Sequence, residues 1–134
     1  MRVPLDTPVI QVAGIRDRAE AALLQDCGIH YPGFPLRLPV SREDLTDTYA
    51  PETGAAGATG RTHDWAVSRR LVELSSRPVI LAGGLTPANV RQAIAAVRAA
   101  AVDVHTGVED ASGRKDRAKV REFVAEARAA FAEY

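Results

Sequence analysis

A single cysteine, Cys27, is all the thiol chemistry this chain has, so no internal disulfide forms and a stapled secreted scaffold is excluded. Long apolar runs are also missing; none approaches the roughly 20 residues of a membrane helix. Near the start, Pro4 and Asp6 break up the apolar stretch a signal peptide needs, so the expected compartment is the cytoplasm, with no membrane partner. Nor is there an excess of either charge. Seventeen Lys+Arg balance seventeen Asp+Glu, and neither half is basic enough for a nucleic-acid footprint. The three histidines, His30, His63 and His105, lack the close spacing of metal ligands, so no metal is expected. What remains is ordinary globular composition, 46% hydrophobic and 25% charged. At 134 residues the chain suits one domain. A domain of this size buries roughly two-thirds of the surface its unfolded chain exposes.

The pattern of apolar residues predicts an α/β chain. Pro8 to Ala13 is short, apolar and β-branched, and breaks at Gly14, as a buried strand does. Asp17 to Cys27 sets Ala19, Ala22, Leu23 and Cys27 at helical spacing, and Gly28 is a natural stop. Ile29 to Phe34 reads as a second strand. Strand, helix and strand with short connections make a βαβ unit, which implies parallel pairing. From Pro35 to Gly60 periodicity fades, apart from a short candidate strand over 45–49. Order returns after Asp64-Trp65 with a helix face of Val67, Leu71 and Leu74. A strand follows over Pro78 to Ala82. Thr86 and Pro87 are expected to cap and open a helix whose face is Val90, Ala93, Ile94 and Val97. Val102 to His105 is a last strand. Asp116 caps a last helix, with Val120, Phe123, Val124, Ala127 and Phe131 inward.

Two strand-end turns carry the sharpest chemical signal. Gly83-Gly84 leads from strand into helix, and Gly107 follows the next strand. Glycine lets backbone N–H groups approach an anion, and a helix N-terminus adds a favourable dipole. The pair reads as a phosphate cradle at the carboxyl ends of parallel strands, or as the ordinary glycine preference of such turns. Gly54 to Gly60 is a third glycine-rich stretch, either a loop over substrate or a linker. It is not a Walker loop, because Gly60-Arg61-Thr62 lacks the lysine. Asp47 and Asp103 lie at or near candidate strand ends, where a carboxyl is a general acid if its environment raises its pKa, or else a turn or cap residue. His105 shares a strand face with Asp103 because alternate strand residues point the same way. Cys27, on an apolar helix face, reads as a buried structural thiol.

Several segments together resemble one known family. Leu81-Ala82-Gly83-Gly84-Leu85-Thr86-Pro87-Ala88-Asn89-Val90, Val102 to Glu109 and Gly113-Arg114-Lys115-Asp116 are similar to the carboxyl-terminal third of phosphoribosylanthranilate isomerase. Gly57 to Trp65 resembles that family's Gly-Thr-Gly-Lys-Thr-Phe-Asp-Trp stretch, and Val9 to Phe34 its first βαβ unit. The resemblance implies a (βα)8 barrel of the tryptophan pathway. It also implies an Amadori rearrangement of N-(5′-phosphoribosyl)anthranilate, with no cofactor and a small phosphosugar as the partner. It further implies that Gly83, Gly84, Gly107 and Val108 hold phosphate through backbone N–H groups. Asp47 is then the general acid at the end of the sixth strand. Arg42 contacts the anthranilate carboxylate, and Asp103 lies in the substrate site.

The chain departs from the family pattern in two places. The family's general base is a Cys at the end of the first strand, and here Gln11-Val12-Ala13-Gly14 puts Ala13 in that position. In a closed barrel the eighth strand adjoins the first, which makes His105 the candidate substitute base. The chain is also short of the ~200 residues a barrel needs. The segment around Asp44 to Thr48 reads as a junction joining the loop after the second strand to the end of the sixth. The expectation is a partial, parallel-stranded TIM-type barrel of four or five strands in a single domain, 1–134. Residues 1–45 would form the first βαβ unit and loop, and 46–134 the carboxyl-terminal units with the phosphate site. Open strand edges invite a second copy, so a homo-oligomer is expected. The alternative is a non-catalytic phosphosugar-binding paralogue or barrel fragment, which Ala13 favours.

Overall fold

The computed structural model describes residues 8–33, 49–50, 55–56 and 64–134. Its centre is a four-stranded sheet. β1 (Val9–Ala13) leads through α1 (Arg18–Asp26) to β2 (Tyr31–Gly33). β3 (Tyr49–Ala50) and β4 (Ala55–Ala56) form a separate antiparallel pair. α2 (Trp65–Leu74), β5 (Ile80–Leu81), α3 (Val90–Val97), β6 (Ala101–Val104) and α4 (Arg117–Phe131) complete the chain. The sheet order is β2-β1-β6-β5 and every pairing in it is parallel. The first strand therefore pairs with the last, as it does when a barrel closes on itself.

The helices form one layer. α1 packs on α4, α4 on α3, and α3 on α2, so they follow the strands around one face of the sheet. The strand side chains follow the same division. Ile10 and Val12 of β1, and Val102 and Val104 of β6, are buried beneath the helices, while Gln11, Ala13 and Asp103 alternate onto the other face and are only half-buried. A sheet with helices on one side and a half-polar face on the other is a segment of barrel wall. No helix among the described residues is long and apolar enough to cross a membrane.

Most of the expected elements form, with instructive differences at their edges. Asp17, Asp64 and Asp116 cap α1, α2 and α4, each accepting a backbone N–H from the first turn. The stripes of α3 and α4 lie inward; Val90, Ala93, Ile94, Val97, Val120, Phe123, Val124 and Ala127 are all buried. The inward face of α1 is instead Glu20, Leu24 and Cys27, while Ala19 and Ala22 are exposed. A carboxylate won that place because it has buried partners there. α3 begins at Val90, beyond Thr86-Pro87; the Thr86 carbonyl accepts from the Asn89 and Val90 N–H groups, so a tight turn precedes the helix. On α2 the stripe Val67, Leu71 and Leu74 is exposed at 55, 54 and 67%, and Ser68 faces inward instead. Of the candidate strand over 45–49 only Tyr49 is described, in β3, which pairs with β4 and not with the parallel sheet.

Candidate active site

The carboxyl ends of β1, β6 and β5 bring the chemistry together. Gln11 is paired with Tyr31 on one side and Asp103 on the other, so the three form a row across the helix-free face. Two residues further along, Ala13 stands beside Gly33, and the register carried on from Val12–Val104 sets His105 on its other flank. The His105 ring reaches further still. A Cβ built on Gly14 would sit 2.0 Å from His105 Nε2, and Gly14 has φ +79°. Only a glycine allows that backbone and that ring to share the end of β1.

His105 is boxed by charge. Its Nε2 lies 3.4 Å from Glu109 Oε1. The same Glu109 oxygen accepts from Lys115 Nζ at 2.7 Å, and Lys115 Nζ also donates to the His105 carbonyl at 2.9 Å. Partial burial, with the positive charges of Lys115 and Arg16, holds the imidazole below its ordinary pKa, against an opposing pull from Glu109. A neutral ring with a free lone pair at neutral pH is what a base requires. Asp103 is shifted the other way. Burial pushes its carboxyl up, partly offset by Gln11 and Lys115. Its Oδ1 is buried with no hydrogen-bond partner, which agrees with desolvation as the leading cause.

The two glycine turns abut. A Cβ on Gly107 would lie 1.8 Å from the Leu85 carbonyl oxygen, so the loop after β6 rests directly on the loop after β5. Gly83 and Gly84 take φ of +100° and +63°. Among the described residues no acceptor meets the N–H of either glycine. Asn89, which sequence reading passed over, latches this turn from both sides. Its Oδ1 accepts from the Thr86 N–H at 2.8 Å and its Nδ2 donates to the Gly84 carbonyl at 3.0 Å. Val108 is buried in the 3-10 turn Thr106–Val108.

The buried carboxylate of Glu20 was also missed. It accepts from the Arg16 N–H at 2.8 Å and the Lys115 N–H at 3.1 Å, and pairs with Arg114 Nε at 3.1 Å. Arg114 further contacts Asp17 at 2.5 Å. Together these tie the loop over 105–116 to the start of α1. The only sequence signal was Arg114-Lys115 beside a glycine, with no hint that their partners lay some 95 residues away. Cys27 is buried in the core. His30 lies at the opposite end of β1, where its Nδ1 accepts from the Ile10 N–H at 3.0 Å. Asp47, Arg42, His63 and most of Gly54 to Gly60 fall outside the described residues.

The model of the N-(5′-phosphoribosyl)anthranilate (PRA) isomerase family matches residues 8–126. Among curated proteins, the N-(5′-phosphoribosyl)anthranilate isomerase of Halobacterium salinarum is 55% identical over 78 residues, covering 58% of this chain and 36% of that protein. The Methanosarcina acetivorans enzyme of the same name is 33% identical over 147 aligned residues, 98% of this chain and 61% of its own. The chain thus spans between about a third and three-fifths of the length of these relatives. Among solved structures, a monomeric form of the dimeric isomerase from Thermotoga maritima superposes with a TM-score of 0.60 at 22% identity, over 91% of this chain and 99% of that one. That likeness speaks for the fold.

Proposed function

The chain belongs to the phosphoribosylanthranilate isomerase family, and from that membership we propose that it catalyses the Amadori rearrangement of N-(5′-phosphoribosyl)anthranilate to the 1-deoxyribulose phosphate, a step of tryptophan biosynthesis. In this reading Asp47 protonates the furanose ring oxygen, and the C1–O bond opens to a Schiff base. His105 removes the proton from sugar carbon 2, and the resulting enolamine tautomerises to the ketose. Gly83, Gly84, Gly107 and Val108 hold the phosphate through backbone N–H groups, Arg42 meets the anthranilate carboxylate, and Asp103 lines the sugar site. The observation that carries the reading is the His105 ring lying against Gly14, the residue after Ala13. It supplies a base at the strand end where alanine cannot. That no acceptor among the described residues meets the N–H groups of Gly83 and Gly84 supports the phosphate assignment.

The assembly completes the proposal. The pairing of β1 with β6, and the helix order α1-α4-α3-α2, support reading the four strands as the second, first, eighth and seventh of a barrel in one domain, with 1–45 and 46–134 supplying two strands each. Two copies, each offering the outer edges of β2 and β5, would then make eight strands about a two-fold axis. Ile80 on β5 and Tyr31 on β2 are exposed at 53 and 37%, as residues awaiting a neighbour would be.

The test is turnover by substituted chains. His105→Asn and Asp47→Asn should each lower kcat at least tenfold, since acid and base each contribute about 10²–10⁴, while binding of a reduced product analogue persists. Turnover insensitive to His105→Asn overturns the assignment of the base.

A further inference from the structure

The proposed base sits at the end of a chain of charges that reaches through the loop after β6 to α1. Lys115 is the centre of it. Its side chain is fully buried, and a buried ammonium persists only where acceptors surround it. Among the described residues two accept from it, and both lead to His105: the carbonyl of His105 itself, and Glu109 Oε1, which stands 3.4 Å from the His105 ring. The Lys115 backbone N–H is held by the buried Glu20. Glu109 is held at its backbone too, where its carbonyl accepts from Lys119 Nζ at 2.6 Å. On its other side the ring rests where a Gly14 side chain would be.

We propose that Glu109 and Lys115 are positioning residues for His105. They clamp the imidazole over Gly14, with Nε2 beside the Glu109 carboxylate at 3.4 Å. Lys115 fixes the backbone and Glu109 the ring edge. Arg16, from the loop after β1, is the third charge acting on the ring, and Asp103 lies two residues before it on β6. The pair also sets how the base titrates. Removing the Glu109 charge takes away a neighbour that favours the imidazolium, so the pKa of His105 falls. Removing the Lys115 charge takes away one that opposes it, so the pKa rises. The assignment rests on His105 acting as the base, but its test does not depend on turnover.

The experiment is an NMR titration of the imidazoles in the full chain, where three histidines give separable signals and His105→Asn identifies the one of interest. In the unsubstituted chain His105 should titrate below the ordinary ~6.5 and hold its proton on Nε2. In Glu109→Gln its pKa should fall further, and in Lys115→Met it should rise. In Glu109→Gln the acid limb of kcat/KM should shift to lower pH with His105. There kcat should drop about ten- to a hundredfold, the scale of a small misplacement, and KM should change less than about twofold. An unsubstituted His105 that titrates as a free imidazole with mixed tautomers overturns the clamp, even if both variants fail to fold. So does a His105 pKa unmoved by either substitution. If His105→Asn retains turnover while the titrations behave as stated, the clamp stands and the base is another group.

Discussion

At the residue scale, one strand face holds two groups shifted in opposite directions from their ordinary pKa values. His105 is held down and Asp103 is pushed up, and burial is the first cause of each. For Asp103 the linkage sign follows from proton counts. Its folded pKa exceeds the unfolded one, so between the two the folded chain binds more protons, and stability falls as pH rises through that window. Asp103→Asn removes that loss. Its Tm should exceed that of the parent chain at pH 7, with the gap narrowing as pH falls toward ~4, while turnover and product binding decline if the carboxyl meets the sugar. Thermal melts at several pH values check it, and a variant less stable at pH 7 than at pH 4 relative to the parent contradicts it. Position 13 is the complementary case. An alanine stands where the family carries its catalytic cysteine, and in the proposed reading His105 takes over that role from the neighbouring strand, because parallel neighbours place their ends side by side.

At the element scale, what was legible in the sequence depended on distance along the chain. The Asp116 cap and the stripes of α3 and α4 are local patterns, and they appear where the spacing puts them, whereas the cap expected at Thr86 falls instead on Asn89. The face of α1 was misread because periodicity sees only hydrophobicity. Glu20 is buried by Arg114 and by the Lys115 backbone, partners that no local window contains. The stripe of α2 was read correctly as apolar but lies exposed, because its spacing does not say whether a neighbour is present. In the site, the glycine turns were visible as glycines, but their contact was not. Gly107 lies so close to the Leu85 carbonyl that a side chain there must displace backbone. Gly107→Ala should therefore cost about 1–3 kcal/mol, the range of an overpacked site, and should weaken phosphosugar binding by parting the two turns. Urea unfolding and a binding isotherm measure both. A variant with unchanged midpoint and unchanged affinity would show that the loops do not depend on each other.

At the scale of the whole molecule, the sheet is four strands of a wall that closes at eight. Its helix-covered face is well packed, while Ile80 on the other face and Val67, Leu71 and Leu74 on α2 lie open at more than half exposure. An apolar border of this kind favours association. If the proposed two-copy barrel forms, Ile80→Lys should shift it toward monomer in sedimentation and lower turnover in parallel, whereas an exposed substitution on α4 such as Arg121→Gln should do neither. The measurement that bears most directly on the account is turnover of freshly prepared phosphoribosylanthranilate across the fractions of a sizing column, followed by the loss of its fluorescence. Turnover that co-elutes with the dimer, and is lost in His105→Asn, is the predicted result. A cooperatively folded dimer that binds the product analogue but turns over no substrate would contradict it.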